Sequence, residues 1–118
     1  MATHNDLGAW GEARAMDYLR EKGYEIVGQN YRHQHAEIDL IAKKNKLLIF
    51  VEVKTRSGTG FGMPVEFVNY TKSRLILKAA EAYIFEHDWA FDVRFDIVSI
   101  LQRPDKSYQL RHIEDAFY

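Results

Sequence analysis

Four side chains able to do chemistry recur at two-residue spacing in one stretch of the chain. Residues 37–54 read E-I-D-L-I-A-K-K-N-K-L-L-I-F-V-E-V-K, setting Glu37 and Asp39 in one apolar run and Glu52 and Lys54 at the end of another. Both runs are rich in β-branched and aromatic residues, with Asn45 and Lys46 between them, which is the pattern of a β-hairpin. A turn at Asn45-Lys46, or a four-residue loop centred there, makes Lys44 face Leu47, Asp39 face Glu52 and Glu37 face Lys54. Alternation then puts all four charged side chains on one face. Directly opposed Cβ atoms lie about 4.5–5.5 Å apart, so the two carboxylates of Asp39 and Glu52 repel. A divalent cation between them turns that repulsion into a ligand set, since Mg²⁺ takes a few carboxylate oxygens and keeps waters. Lys54 adds a positive charge beside it. The competing reading is a solvated sheet face with a Glu37–Lys54 ion pair. Against it stands the position of the charges, which enter the strand holding the longest apolar run, 47–51. Charge in a strand buried on both faces is paired or functional.

At 118 residues the chain is sized for one domain with a core of its own. It has no cysteine, which excludes a thiol nucleophile, a disulfide framework and a thiolate zinc site. Residues 1–10 lack the basic and apolar regions of a secretion signal, and no apolar run reaches the ~18 residues of a membrane span. The expectation is a soluble cytoplasmic protein without a membrane partner. Net charge is −1, but it is unevenly spread. Within 43–78 only Glu52 and Glu66 oppose Lys43, Lys44, Lys46, Lys54, Arg56, Lys72, Arg74 and Lys78, while the flanking thirds are acidic. A basic segment around and after the hairpin suits a polyanion such as nucleic acid.

The elements that must position these groups follow from local pattern. Residues 7–22 read as a helix with Asp6 as its cap and Gly23 as its stop. Gly8, Glu12, Ala15 and Leu19 share one stripe, and Gly11, Ala15 and Tyr18 another, so small residues allow close approach to a sheet. Glu12 lies on the packed stripe; a Glu favoured by the helix dipole is the other reading. Residues 24–31 form a first strand. His33 and His35 continue the two-residue spacing into Glu37 and Asp39, but a turn between strands at 32–35 argues against them as ligands. Residues 55–66 contain G-T-G-F-G and Met63-Pro64 and read as a mobile loop rather than a phosphate cradle. Residues 70–87 form a second helix with Leu75, Ala79, Ala82 and Tyr83 inward. Lys72, Arg74 and Lys78 in its first turns oppose the dipole, which a phosphate partner would offset. A strand over 93–101 carries a structural Asp96. Pro104-Asp105-Lys106 is a turn, and 107–113 a final strand at an edge.

The centre of this pattern, E-x-D followed after thirteen residues by E-x-K, resembles the PD-(D/E)xK, or restriction-endonuclease-like, nucleases. Among these it is most similar to archaeal Holliday junction resolvases, which set a first-helix glutamate beside the hairpin. At family level the chain resembles the YraN-like family of bacterial proteins. The matching segments are G-x-x-G-E-x-x-A (8–15), G-Y-x-I (23–26), N-Y-R (30–32), E-I-D-L-I (37–41), F-V-E-V-K-T-R (50–56) and R-F-D (94–96). The resemblance implies an α/β fold with a mixed central sheet flanked by helices on both faces, in the order α-β-β-β-α-β-β. It also implies Asp39 and Glu52 as ligands of Mg²⁺ or Mn²⁺, Lys54 orienting or activating the attacking water, and Glu12 supporting the metal site. Ile38 stands where the nominal signature has proline. The expected function is a metal-dependent endonuclease acting on nucleic acid, with branched or structured DNA as substrate, Arg56, Lys72, Arg74 and Lys78 on its phosphates, and a homodimer as in junction enzymes. The alternatives are a nucleic-acid-binding module that keeps the fold without catalysis, and a purely structural domain.

Overall fold

The computed structural model of the protein describes residues 4–58 and 70–117. The expected loop lies for the most part at 59–69, outside the described residues. Among the described residues seven elements follow one another: α1 (His4–Glu21), β1 (Glu25–His33), β2 (Ala36–Lys44), β3 (Leu47–Ser57), α2 (Tyr70–Glu86), β4 (Asp92–Gln102) and β5 (Tyr108–Ile113). The five strands form one sheet in the order β1-β2-β3-β4-β5. Only β3 and β4 run parallel, and the connection between them carries α2; the other neighbours are antiparallel. The element order and the mixed sheet agree with the sequence expectation, and β5 is an edge strand. No described helix is long and apolar enough to cross a membrane.

The helices cover opposite faces. On the α1 side, Ala15 and Leu19 pack with Leu40, Ala42, Ile49, Val51, Val98 and Ile100. On the α2 side, Ile76, Ala79, Ala80 and Tyr83 pack with Ile38, Ile41, Leu48, Phe50 and Phe95. Successive residues of β3 thus feed different clusters, which is why its sequence is apolar without alternation. β3 extends through Thr55 to Ser57, beyond the expected arm, because parallel pairing with β4 continues to Ser57↔Gln102.

Local chemistry sets the helix ends. The Gly23 N–H donates to the Arg20 carbonyl (3.0 Å) and the Tyr24 N–H to that of Leu19 (3.0 Å), closing α1 around a left-handed Gly23 (φ 94°). Asp6 lies within the first turn instead of capping it, since α1 starts at His4; its charge there favours the dipole. The face of α2 differs from expectation. Ser73, Ile76, Ala79, Ala80 and Tyr83 are buried and Leu75 is 36% exposed. Leu75-Ile76-Leu77 are all apolar, so periodicity leaves the rotation of this helix open and packing decides it.

Two contacts lock the layers. Gly11 is buried against Thr55; a Cβ there would lie 2.0 Å from Thr55 Oγ1 and 3.0 Å from its Cβ. Asp96 is fully buried and accepts from Arg94 Nε and Nη2 (2.8 Å each) and from the Asp115 N–H (3.1 Å), with His112 Nε2 at 2.7 Å. Burial alone would raise its pKa, but these partners hold it below the usual carboxylate value. Asp96 is therefore structural, as expected. In denaturant unfolding, Gly11→Ala should cost about 1–3 kcal/mol through overpacking, with part recovered in the double variant Gly11→Ala/Thr55→Ala. Asp96→Ala should cost about 3–5 kcal/mol by leaving Arg94 without its buried partner.

Candidate functional site

The hairpin builds the site by failing to stay paired. From Lys44↔Leu47 to Leu40↔Val51 the register is the expected one, entered through Asn45 in the left-handed region (φ 55°). Beyond Leu40 and Val51 no further pair forms between β2 and β3. Asp39 does not face Glu52 across a ladder rung, and Glu37 does not face Lys54. The Asp39 carboxylate instead accepts the Val53 N–H (2.8 Å), and Glu37 pairs with Arg32 on β1 (2.9 Å). The cause lies at Asp39. Ile38 and Leu40, two residues apart, belong to opposite core clusters, so β2 loses its alternation between them. On β1 the rungs Gln29↔Leu40 and Tyr31↔Ile38 bracket Asn30, which is also left-handed (φ 52°). The strand therefore turns where the candidate carboxylate, Asp39, sits.

Two cavities meet at this break, and Asp39 and Glu52 line both. On the α1 side, an open cleft of about 290 Å³ is lined by Leu7, Gly8, Glu12, Asp39, Glu52, Val53, Lys54, Thr55 and Arg56. On the α2 side, about 270 Å³ is lined by His35, Ala36, Glu37, Asp39, Glu52, Lys72, Leu75 and Ile76. Of the residues singled out in the sequence, Glu12, Asp39, Glu52, Lys54 and Arg56 thus share one cavity. Arg74 and Lys78 lie apart, lining a third of about 240 Å³ with Tyr70, whose ring lies 5.7 Å from the Arg74 guanidinium carbon.

Charge is tightly arranged here. Glu52 is only 6% exposed. Its Oε1 accepts from Lys72 Nζ at 2.6 Å and lies 3.8 Å from Lys54 Nζ. Lys72, expected on a phosphate-binding surface, reaches inward to the carboxylate. Burial, then the charge of Glu52, pushes the Asp39 carboxyl up to about 7 against the Val53 hydrogen bond that favours its anion. Glu12 is raised too, by burial and then by Glu37 and Glu52, with a hydrogen bond from Asn30 opposing. Asn30, whose side chain meets Glu12, is a candidate that the sequence pattern did not single out by itself; its place in N-Y-R was the available signal.

Among the described residues, no three His, Cys, Asp or Glu side chains stand in an arrangement that alone would cage a metal. His33 ends β1 and His35 sits in the following turn, so a four-ligand face with Glu37 and Asp39 does not form. What the site offers is narrower: two hard oxygen donors, Asp39 and Glu52, with mutual repulsion that raises Asp39. That donor set suits Mg²⁺ or Mn²⁺, which bind through one or two carboxylates and complete their shell with water and phosphate.

The raised pKa of Asp39 has a sign. Its folded value lies above that of the unfolded chain, so its contribution to stability is full below pH about 4 and lost as pH rises through about 7. In chelator, melting of the parent should therefore fall relative to Asp39→Asn across that window, by about 1–3 kcal/mol after solvent screening. Parallel melting curves from pH 4 to 8 would contradict it.

Comparison with known proteins places this chain among close relatives over its length. It is 45% identical to a UPF0102 protein of Flavobacterium psychrophilum, covering 100% of this chain and 98% of that one. It is 44% identical to UPF0102 proteins of Alkaliphilus oremlandii (94% and 97% covered) and Rhodococcus opacus (99% and 100%). The model of the uncharacterised protein family UPF0102 matches residues 11–100, a span that holds Glu12, the whole hairpin, both lysines on Glu52 and Asp96. The chain belongs to UPF0102, the YraN-like family.

Proposed function

We propose that this protein is a metal-dependent endonuclease of the restriction-endonuclease-like superfamily, hydrolysing phosphodiester bonds in nucleic acid. Branched or structured DNA is the proposed substrate, and a homodimer in the cytoplasm the proposed working form. The observation that carries the reading is the convergence of Asp39, Glu52, Lys54 and Glu12 on one cavity, where β2 leaves β3.

The reaction is in-line attack of water on phosphorus, with the leaving oxygen taking a proton. Mg²⁺ or Mn²⁺ held by Asp39 and Glu52 would polarise the phosphate, acidify water and offset charge in the transition state. The chain's own groups do the rest. The Val53 N–H fixes one oxygen of Asp39 and so its direction. Lys54 Nζ, 3.8 Å from Glu52, brings a cation to the same edge, where it orients the attacking water and steadies charge growing on the phosphoryl oxygens. Glu12, held by Asn30, lies across the cavity as an acceptor for ordered water. Arg56, Arg74 and Lys78 extend the basic surface along which the backbone phosphates would lie.

A second reading has one observation in its favour. Lys72 already neutralises Glu52, as it would in a nucleic-acid-binding module that keeps the fold without catalysis. Cleavage separates the two. Labelled four-way, flap, single-stranded and duplex substrates, as DNA and as RNA, should be screened with Mg²⁺ and Mn²⁺. The nuclease reading expects metal-dependent cuts that fall by about two or more orders of magnitude in Asp39→Asn and in Lys54→Ala. Binding without cleavage in every combination would leave the module. In either case Arg56→Ala/Arg74→Ala/Lys78→Ala should flatten the dependence of log affinity on log salt by about 2–3, roughly 0.9 per lost phosphate contact.

A further inference from the structure

Lys72 stands outside the E-x-D and E-x-K pairs, yet it makes a short contact with Glu52, 2.6 Å. It belongs to the first turn of α2, which has no acidic residue. A cation there opposes the helix dipole, so it needs compensation from elsewhere. Compensation comes from Glu52: Lys72 Nζ is 2.6 Å from Glu52 Oε1, while Lys54 Nζ is 3.8 Å from the same oxygen. The two ends of this bridge differ in exposure. The Glu52 side chain is 7% exposed and that of Lys72 is 41% exposed, so the lysine reaches from solvent into a buried carboxylate. The amine arrives through the α2-side cavity, on the face away from α1, whereas Lys54 and Glu12 line the other cavity.

We propose that Lys72 is a built-in counter-cation of Glu52, which a divalent ion must displace before it can use that carboxylate. The inference rests on the metal-dependent reading above. A buried carboxylate beside Asp39 is costly to hold without a cation, and a lysine tethered on a flexible four-carbon stem supplies one that can leave. Lys72 thus acts as a positioning residue: it holds Glu52 in place for the incoming ion and lowers the affinity of the metal-free protein for it. Once displaced, its ammonium faces the α2-side cavity as a phosphate contact, which reconciles its inward contact with the basic surface read from the sequence. Substrate phosphate and metal then support each other's binding.

The test uses the full chain, Mn²⁺ alone as probe, and the variants Lys72→Gln, Lys72→Arg and Asp39→Asn. Titration calorimetry gives Mn²⁺ affinity, and melting in chelator gives the stability of the metal-free form. Lys72→Gln should bind Mn²⁺ on the order of tenfold more tightly than the parent, because a nearby unit charge and a competitor for Oε1 are both gone. In chelator it should melt below the parent. Lys72→Arg keeps the charge and should stay near the parent in both measurements. Asp39→Asn should bind no Mn²⁺. Equal or weaker Mn²⁺ affinity in Lys72→Gln, with Asp39-dependent uptake by the parent, overturns this inference and leaves the nuclease reading standing. No uptake by either the parent or Lys72→Gln at millimolar Mn²⁺ overturns this inference, since removing the lysine then frees no site for the ion, and leaves the nuclease reading to the cleavage screen.

Discussion

The separation of β2 from β3 beyond Leu40 and Val51 is the constraint on which this structure turns. Up to that rung the two strands form an ordinary antiparallel ladder. Past it, a carboxylate side chain replaces a backbone carbonyl as acceptor, and Asp39 satisfies the Val53 N–H that a continuing ladder would have used. An N–H that loses its ladder partner needs another acceptor, and the Asp39 carboxylate supplies one at the break. The same break opens the space into which Glu52 projects. Fold and site are in this sense one feature.

Around the break, charge is balanced by elements distant in sequence. Glu52 comes from β3, Lys54 from two residues on, Lys72 from α2 and Glu12 from α1. These acids and bases do not cancel. Asp39 keeps a raised proton affinity because burial and Glu52 act on it together. A proton affinity left raised despite nearby cations is common where a protein holds groups for chemistry, and structural pairs contrast with it. Asp96 supplies that contrast within the same sheet: it is fully buried, but Arg94, His112 and the Asp115 N–H meet its charge and its pKa is lowered. Two aspartates of one sheet thus shift in opposite directions, one at the candidate site and one in a structural staple.

The helices decide how closely these groups converge. Gly11 lets α1 approach β3 at Thr55, placing Glu12 one residue on at the cavity wall. The packed face of α2 runs through Ser73, Ile76, Ala80 and Tyr83, and this rotation aims Lys72 at the sheet while Arg74 stays outward with Tyr70. Family membership extends over these contacts, since residues 11–100 include all of them, and relatives about 45% identical align end to end. Membership by itself names no reaction; the proposed chemistry rests on the resemblance of the E-x-D and E-x-K pattern, supported by the geometry of the cavity.

Much of this is legible in the sequence because it is local. Period-two alternation, β-branched runs and the Asn45-Lys46 tip specify the hairpin and its register at the paired end. Gly23 specifies the end of α1, and the spacing of Asp39, Glu52 and Lys54 marks a candidate site. Pattern cannot supply whatever depends on contacts between distant segments. Extrapolating the ladder puts Asp39 opposite Glu52 and Glu37 opposite Lys54, whereas a left-handed Asn30 on β1 and the lost alternation at Asp39 divert both. The apolar triplet 75–77 leaves α2 free to rotate until there is a sheet face to pack against, so periodicity misplaces Leu75 and hides the inward reach of Lys72. Sequence alone determines which residues have the chemistry and which elements carry them. Only the folded chain decides which charges share a low-dielectric space, because electrostatic coupling depends on distance and burial, and neither is a property of spacing along the chain.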